Sequence, residues 1–319
     1  MSVVSVDMEA QFRGIVGARL KINEPLSAYT TLRIGGPADF LATANSTDEI
    51  VALINIARVA ALPWRILGRG SNLLVSDRGA RGLTIRNSAS VIKKLVGCDE
   101  AHAMLVVDAG VSCARLASHT ARLGLSGVEF LVSIPGTIGG AIVQDAGAHG
   151  HEIADVLRHV DFLDANGHIH TREVADLELG YRTSWFKKQL GVMAVLRGYL
   201  ALTVSDPETV TKQIGQHRLW RAASQPPEPS AGSIFTNPPG DFAGRLIEAA
   251  GLKGLRIGDA QISTRHANFI INLGGATAHD VVAIIQKARQ MVNERFDVQL
   301  DPEIEQFGDW LCIRGEYEH

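Results

Sequence analysis

Two glycine-rich stretches give the strongest chemical signal in this sequence. The first is Leu67-Gly68-Arg69-Gly70-Ser71-Asn72, and the second, SIPGTIGGAIVQDAGAHG at residues 133–150, holds five glycines. Glycine weakens helix and strand interiors, so this density indicates unusual backbone conformations or close contact with a ligand. Consecutive small residues also allow amide N–H groups to converge on an anion. Two such loops together favour a dinucleotide, while a tight turn is the alternative for either loop alone.

Two common nucleotide-binding motifs are excluded. A Rossmann motif needs a glycine turn that opens a helix, whereas SNLLVSD after Gly70 predicts an extended segment. The Gly-x-x-x-x-Gly-Lys-Ser/Thr motif of a P-loop does not occur in the sequence. A dinucleotide site in this chain therefore belongs to another fold.

Histidines and cysteines give no metal or disulfide signal. The segment His151-Glu152-Ile153-Ala154-Asp155 lacks the second histidine of a zinc helix motif, and His149 and His159 do not supply it. The cysteines, at positions 98, 113 and 312, are far apart. We expect these thiols to be reduced and buried, and we expect no metal site.

The composition is that of a globular enzyme. Of the 319 residues, 46% are hydrophobic and 20% are charged, and the formal net charge is -3. This charge gives no support for nucleic acid as a partner, and the length allows two domains. Asp7 and Glu9 precede any apolar signal region, and no apolar run is long enough to span a bilayer. We therefore expect a cytoplasmic protein without membrane insertion.

Alternating helical and extended signals position the glycine loops. The Ser46-Thr47-Asp48-Glu49 capping pattern predicts a helix at about 47–61, and a second helix is predicted at 113–123, before Gly124. Between them, WRILGRGSNLLVS predicts a strand, a glycine turn and a strand. HVDFLDANGHIHTRE predicts a hairpin with Asn166-Gly167 in a tight primed turn, and VMAVLRGYLAL predicts another strand.

The second half of the chain begins after a predicted domain boundary near residue 204. Ser205-Asp206-Pro207-Glu208 starts a helix that the proline-rich residues 225–229 end. The loop PSAGSIFTNPPGD precedes a short helix at 242–250, and a longer helix opens at Thr277 and ends by Phe296. VQLDPEIEQFG predicts a final extended segment.

Six ordered segments carry a family resemblance. LGRGSNLL, GVEFLVSIPGTIGGAIVQDAGAHGHE, LGYRTSWF, PSAGSIFTNP, RHANFIIN and LDPEI resemble the UDP-N-acetylenolpyruvoylglucosamine reductase (MurB) family, flavoenzymes of cell-wall precursor synthesis. The resemblance covers residues 30–305. The short stretch between Trp185 and residue 204 is similar to the shorter subtype, which lacks an inserted substrate-clamping loop.

The resemblance implies an α+β fold with a two-lobed FAD-binding domain of the vanillyl-alcohol-oxidase/p-cresol-methylhydroxylase type and a smaller α+β substrate domain. The implied FAD domain covers 1–204, with its lobes divided near residue 88. The substrate domain covers 205–299, and the segment 300–319 returns to the flavin. No histidine or cysteine lies in 67–74, so we expect the FAD to be non-covalent.

The activity implied by the resemblance is NADPH-dependent reduction of UDP-N-acetylglucosamine enolpyruvate to UDP-N-acetylmuramate by a monomer. The alternative is an FAD-dependent oxidase or dehydrogenase with the same cofactor fold and another substrate. A third hypothesis is a non-catalytic relative that binds nucleotide sugars.

The resemblance also assigns three catalytic residues. An enolate-like transition state needs a cation or hydrogen-bond donor at the substrate carboxylate and a proton source at the adjacent carbon. The family motifs select Arg182 for the carboxylate, Ser233 as proton donor, and Glu303 as the third residue. Without the motifs, the favoured interpretation of Arg182 is a surface salt bridge, and the alternative for Ser233 is a residue that caps a helix or turn. The strand period alone does not separate Glu303 from Asp301 and Glu305.

Further residues are assigned to ligands by the same resemblance. The glycines of the two loops are interpreted as positions without a side chain, where the cofactor can lie directly against the backbone. The substrate diphosphate is assigned to Tyr181, Arg221 and Asn237, and the alternative for Arg221 is a solvated helix residue. The cofactor-binding set is Gly68, Arg69, Gly70, Ser71, Asn72, Leu73, Pro135, Gly136, Thr137, Gly139, Gly140, Ala141, Asp145 and Gly147.

Two residues depart from the family pattern. Asp145 stands where the family usually has asparagine, so its carboxylate must turn away from the cofactor phosphates, pair with a base such as Arg69, or alter flavin binding. Thr236 stands where lysine is usual, which removes a positive charge near the substrate phosphates.

Overall fold

Short strands alternate with helices along the chain. The structure is a computed structural model and describes residues 3–95, 101–189 and 193–310. The helices are α1 (Val3–Val16), α2 (Thr47–Val59), α3 (Cys113–Arg122), α4 (Ile138–Gln144), α5 (Ile153–Val156), α6 (Trp185–Lys188), α7 (Pro207–Ser224), α8 (Ala243–Ala249) and α9 (Ala278–Phe296). The strands are β1 (Leu20–Pro25), β2 (Pro37–Ala44), β3 (Trp64–Leu67), β4 (Leu73–Val75), β5 (Ala80–Asn87), β6 (Ile92–Lys94), β7 (His102–Asp108), β8 (Leu125–Ser126), β9 (Gly147–Ala148), β10 (His151–Glu152), β11 (Leu157–Leu163), β12 (Ile169–Glu173), β13 (Ala194–Val204), β14 (Ser230–Ser233), β15 (Arg256–Ile257), β16 (Ala260–Ile262), β17 (Phe269–Asn272) and β18 (Glu305–Phe307).

The chain forms two compact units, each assembled from separate segments. The first comprises Met1–Lys21, Leu41–Arg69 and Leu83–Ala223. The second comprises Ile22–Phe40, Gly70–Gly82 and Ser224–His319. The predicted functional boundaries at 204 and 299 stay a prediction. Within the described ranges, no helix combines the length and apolar character needed to cross a membrane.

A mixed-length antiparallel sheet organises the first unit. Its strand order is β12-β11-β13-β7-β6, and β8 pairs with the end of β13. Helix α4 packs on β13 at Gly198. A Cβ at this position would lie only 2.9 Å from Ile142 Cδ1 of the helix, so the close packing requires glycine. Fully buried Leu116, Phe130 and Leu200 belong to the core of this unit. The same unit contains the parallel pair β3 and β5, in which Trp64 faces Leu83.

The second unit packs α8 and α9 with a four-stranded antiparallel sheet of order β14-β17-β16-β15. A separate parallel pair joins β18 to β4, with Phe307 opposite Val75. Thr277 and Asp280 form a capping box at the start of α9, which satisfies amides that the helix leaves unpaired. The buried core includes Leu74, Ile234 and Ile285.

Most predicted elements are confirmed. The predicted helices at 47–61, 113–123, 242–250 and from 277 to 296 correspond to α2, α3, α8 and α9. The helix after residue 206 and the strands around both ends of the first glycine loop are also present. Cys113 is buried and free, as predicted, and burial raises the pKa of its thiol to about 12. Cys98 and Cys312 lie outside the described residues.

Two local predictions are wrong. The PSAGS segment was expected to be a loop, but Ser230–Ser233 is strand β14, because pairing with β17 supplies backbone partners that local residue types do not indicate. The β11–β12 hairpin is confirmed, but its turn is not a two-residue primed turn. Leu163 pairs with Ile169, so residues 164–168 make the connection, and positive φ occurs at Gly167 but not at Asn166.

Candidate functional site

In the second unit, the structure brings the Ser233 and Glu303 segments together. The Glu303 amide donates to the carbonyl of Ile234 at 2.7 Å, and Phe235 pairs with Pro302. The Asn72 Nδ2 donates to the Glu303 carbonyl at 3.0 Å. Two of the three predicted catalytic residues therefore lie on adjacent backbone, beside the last residues of the first glycine loop.

A β-bulge positions Ser233 at the end of β14. Ser230 pairs with Ile271 and Ser233 with Phe269, so β14 contains one residue more than β17 over this interval. Gly232 has φ 79°, a left-handed conformation that glycine adopts without strain. Bulges re-aim a side chain relative to the regular pleat. The glycine in AGSIF is therefore needed for the direction of its neighbour.

Asn268 is a positioning residue that was not singled out from the sequence. Its side chain is 4% exposed, its Oδ1 accepts from the Phe235 amide at 3.0 Å, and its Nδ2 donates to the Phe235 carbonyl at 2.8 Å. This clamp fixes the backbone two residues after Ser233. The signal was available, because a polar residue inside the apolar motif RHANFIIN must be hydrogen-bonded when it is buried.

The first glycine loop offers a row of backbone donors. Gly70 has φ 61°, and a Cβ there would lie 2.5 Å from the Tyr29 carbonyl oxygen, so this glycine is required by packing within the second unit. Among the described residues, the amides of residues 69–72 have no hydrogen-bond acceptor. Neighbouring amides of this kind suit phosphate oxygens. The loop therefore fits the predicted role in binding a dinucleotide.

The second glycine loop is already hydrogen-bonded within the protein. The amides of residues 138 and 139 donate to the carbonyls of residues 111 and 109, and the Gly140 amide donates to Thr137 Oγ1 at 3.4 Å. The row of free amides expected here is therefore not formed at residues 138–140. A Cβ at Gly139 would lie 2.9 Å from Ala109 Cβ, so packing explains this glycine.

The other glycines of the two loops differ in how closely the protein surrounds them. A Cβ at Gly147 would lie 2.6 Å from the His151 carbonyl oxygen, which again is a packing requirement. A Cβ at Gly140 would meet no atom closer than Thr137 Oγ1 at 3.7 Å. A Cβ at Gly68 would lie 2.9 Å from the same Oγ1, so the two glycine loops approach each other at Thr137. Gly140 is therefore the glycine of α4 that has room for a ligand beside its backbone, and Gly150, at the end of this loop, would also meet no atom within 4 Å of an added Cβ.

Asp145 turns into the protein. It is 1% exposed and has φ 41°, at the end of α4. Its Oδ1 accepts from the Ala154 amide at 3.2 Å, and its buried Oδ2 has no partner among the described residues. Burial, with a smaller effect of the Glu152 carboxylate, raises the pKa of Asp145 to about 6. Among the described residues, the carboxylate is directed at the Ala154 amide and does not pair with Arg69, so the second of the three alternatives is not formed.

Arg182 lies in a strained turn of the first unit. Thr183 donates from its amide to the Gly180 carbonyl at 2.9 Å, and Gly180 donates back at 3.2 Å. Arg182 has φ 58°, and such a conformation in a residue with a Cβ costs about 1–3 kcal/mol. Its Nη2 donates to the Gly147 carbonyl at 3.3 Å. The half-buried guanidinium therefore lies against a predicted cofactor-binding residue.

The three predicted substrate residues have different environments. Arg221 is half-buried and donates to the Ser133 carbonyl, so it is not a solvated helix residue, and burial lowers its pKa. Tyr181 is 56% exposed, with the Arg182 guanidinium 5.3 Å from its ring centre. Asn237 is exposed, and its Oδ1 accepts from the Ala243 amide at the start of α8.

Thr236 makes only backbone contacts to the Glu303 segment. Its amide donates to the Asp301 carbonyl at 3.0 Å, and its Oγ1 donates to the same oxygen at 3.3 Å. The hydroxyl is therefore directed at the protein backbone. A threonine here strengthens the pairing of residues 233–236 with residues 301–303 and supplies no positive charge.

Two sequence families match this chain. Residues 38–172 match the family described as FAD binding domain. Residues 225–307 match UDP-N-acetylenolpyruvoylglucosamine reductase, C-terminal domain. The second range contains both Ser233 and Glu303.

Full-length relatives carry the same name. The UDP-N-acetylenolpyruvoylglucosamine reductase of Rubrobacter xylanophilus is 44% identical over 91% of this chain and 95% of its own length. That of Bacillus subtilis is 39% identical, over 90% and 93%. The crystal structure of UDP-N-acetylenolpyruvylglucosamine reductase from Thermus caldophilus has a TM-score of 0.74 and 37% identity, and the match covers 90% of this chain and 98% of that one. These similarities confirm the predicted fold class of an α+β flavoprotein.

Proposed function

Since this chain belongs to the UDP-N-acetylenolpyruvoylglucosamine reductase family, we propose that Arg182, Ser233 and Glu303 carry out its substrate chemistry. The protein is an FAD-dependent oxidoreductase, a UDP-N-acetylmuramate dehydrogenase that uses NADPH. It reduces the enolpyruvyl ether of UDP-N-acetylglucosamine enolpyruvate. The match at residues 225–307 does not favour the alternative of a flavin oxidase with another substrate.

The contact between the Ser233 and Glu303 segments carries the proposal. The 2.7 Å bond from the Glu303 amide to Ile234 holds a hydroxyl and a carboxyl group on neighbouring backbone. Asn72 connects the same backbone to the glycine loop, whose amides at 69–72 are available for phosphate. The proposed proton donor, the proposed acid and residues 70–72 of the proposed phosphate-binding loop all belong to the second unit.

Bound FAD supplies hydride transfer, from NADPH to the enolpyruvyl group. Ser233 donates a proton to the carbon next to the one that receives hydride. Glu303 acts as the protonated acid: its O–H donates a hydrogen bond to the substrate carboxylate, so that negative charge is stabilised before this proton arrives. A serine hydroxyl is a weak acid, so its orientation by the β14 bulge is part of its function.

Arg182 binds the substrate carboxylate through its planar guanidinium. The guanidinium has a fixed fork of donors that matches a carboxylate at two points. Its strained turn pre-sets the side-chain direction before substrate binds, so less entropy is lost on binding. In the same proposal, Arg221, Tyr181 and Asn237 contact the substrate diphosphate, and the enzyme is a cytoplasmic monomer.

The Ser233→Ala variant tests the proton-donor role. Flavin content and anaerobic reduction of the flavin by NADPH should equal those of the parent enzyme. Reoxidation by the enolpyruvyl substrate should slow by about a hundred- to thousandfold, the usual effect of losing one aimed donor. Stopped-flow absorbance of the flavin separates the two half-reactions.

Ser230→Ala is the matched control, because Ser230 is a half-buried serine at the other end of β14. It should reoxidise at the parent rate. Parental reoxidation in the Ser233→Ala variant would exclude Ser233 as the proton donor. A protein that binds no flavin at all would overturn the assignment of the activity itself.

A further inference from the structure

We propose that the turn of the β11–β12 hairpin binds a divalent transition-metal ion such as Zn²⁺ through Asp164, His168 and His170. Each residue offers one ligand atom, and the three atoms lie within 4.8 Å of one another. The site belongs to the first unit and involves none of the residues assigned to flavin or substrate. It is also distinct from the His149, His151, Glu152 and His159 group considered from the sequence.

The Asp164 carboxylate is already oriented for an ion. Its Oδ1 accepts from the amides of Asn166 at 2.9 Å and His168 at 2.8 Å, which leaves Oδ2 facing the imidazoles. Oδ2 lies 3.0 Å from His170 Nε2 and 3.9 Å from His168 Nδ1. These contacts, first of all the His168 amide, lower the pKa of Asp164 to about 2. Backbone bonds to one oxygen of a ligating carboxylate are the usual means of fixing the other.

The two histidines differ in how firmly they are held. The His170 ring stacks on Phe162 with ring centres 5.4 Å apart, so its orientation is fixed by a buried neighbour. The His168 side chain is 75% exposed, so packing places little constraint on its rotamer. Zinc bonds of about 2.0–2.2 Å place tetrahedral ligand atoms about 3.2–3.6 Å apart. The 3.9 Å separation between Asp164 Oδ2 and His168 Nδ1 enters this range by a small rotation of His168. The 3.0 Å separation between Oδ2 and His170 Nε2 must lengthen by about 0.2 Å when the ion binds.

The ligand set selects the class of ion. Two imidazole nitrogens and one carboxylate oxygen suit zinc, nickel or copper, whereas magnesium and calcium prefer oxygen ligands. Three protein ligands leave a coordination position for water or an external group. The Arg58 guanidinium lies against the same turn, since a Cβ at Gly167 would be 2.9 Å from it, and its positive charge lowers the affinity of a nearby cation site. The site should therefore bind reversibly and lose its metal to a chelator.

Calorimetric titration of the untagged, chelator-treated holoenzyme tests the proposal. ZnCl₂ should bind at one equivalent per chain, and MgCl₂ should give no binding. His168→Ala, His170→Ala and Asp164→Asn should each weaken zinc binding by at least about tenfold. Asp164→Asn keeps a side-chain oxygen for the turn amides, so it removes the charge while the turn is retained.

His151→Ala is the matched control. His151 and Asp155 form a similar pair at 3.3 Å, but the described residues place no third ligand beside them. This variant should bind zinc like the parent. As a second measurement on the unmodified chain, the imidazole NMR signals of His168 and His170 should shift with one equivalent of zinc. Absence of zinc binding, equal affinity in all variants, or unshifted imidazole signals would overturn the proposal.

Discussion

At the residue scale, Asp145 is the clearest departure from the family pattern. Its carboxyl group is buried, and its pKa in the folded protein is about 6, above the ordinary value of 3.8. The fold therefore disfavours the ionised form. The contribution of this group to the free energy of unfolding is therefore highest at low pH, and it falls as pH rises through the interval from 4 to 6.

Asp145→Asn should remove this pH-dependent cost, because asparagine keeps an oxygen to accept from the Ala154 amide. Relative to the parent, the variant should gain up to about 2–3 kcal/mol in unfolding free energy above pH 6 and less at pH 4. Urea unfolding at several pH values measures this difference. Asp176→Asn, at an exposed aspartate of the same unit, controls for the removal of one negative charge. A stability difference that is constant with pH would contradict the assignment.

Residue types were predictable from the motifs, but residue conformations were not. AGSIF and LDPEI selected Ser233 and Glu303, and the structure places both segments side by side. The bulge at Gly232 and the left-handed backbone of Arg182 had no local signal. The bulge depends on pairing with the distant strand β17. The Arg182 backbone depends on the paired amides of Gly180 and Thr183, with a side-chain hydrogen bond to the distant Gly147 carbonyl. The roles of the three residues stay predictions.

At the element scale, the glycines of α4 serve two purposes that substitution separates. Gly139→Ala adds a Cβ 2.9 Å from Ala109 Cβ and should lower the unfolding free energy by about 1–3 kcal/mol through overpacking. Gly140→Ala adds a Cβ whose nearest neighbour is Thr137 Oγ1 at 3.7 Å, an ordinary contact, and should leave stability equal or up to about 1 kcal/mol higher, because alanine favours helix. Thermal unfolding of the two apoproteins measures this contrast.

Flavin retention is a second measurement that distinguishes the Gly139→Ala and Gly140→Ala variants. Gly140→Ala should lose FAD on gel filtration more readily than the parent if the cofactor lies against this backbone. Gly139→Ala, measured below its unfolding transition, should retain flavin. Full retention by Gly140→Ala would contradict the interpretation that this glycine admits the cofactor.

Elements with a strong local pattern were predicted well, and those made by pairing were not. Ser46 accepts from the Glu49 amide, as the capping pattern before α2 indicated. The hairpin turn widened because Asp164 accepts from two amides, an alternative to the primed turn that Asn-Gly favours. Strand β14 was missed since its small residues have low strand propensity.

At the scale of the whole molecule, contiguous sequence did not predict how the units are assembled. The second unit needs the distant segments 22–40 and 70–82 in addition to residues after 223. Asn272 Nδ2 donates to the Leu32 carbonyl at 3.0 Å, and strand β4 pairs with β18. Such long-range pairs leave no periodic signal in the sequence. A linear boundary at residue 204 was the natural prediction from the capping pattern and the proline-rich end of α7.

This assembly predicts that residues 205–319 will not fold alone, although they contain the whole predicted substrate domain. The fragment lacks β4, the partner of β18, and it lacks Asp77, whose carboxylate accepts from the first two amides of α9 at 2.8 and 3.2 Å. Leu32 and Leu74 would also be missing from its core. The fragment should show poor NMR dispersion and no cooperative thermal transition, while the full chain unfolds cooperatively. Co-expression with residues 1–204 should restore folded protein, because that piece supplies the missing strand and cap. A dispersed spectrum and a sharp transition from 205–319 alone would instead establish the boundary at 204 as that of an independently folding domain.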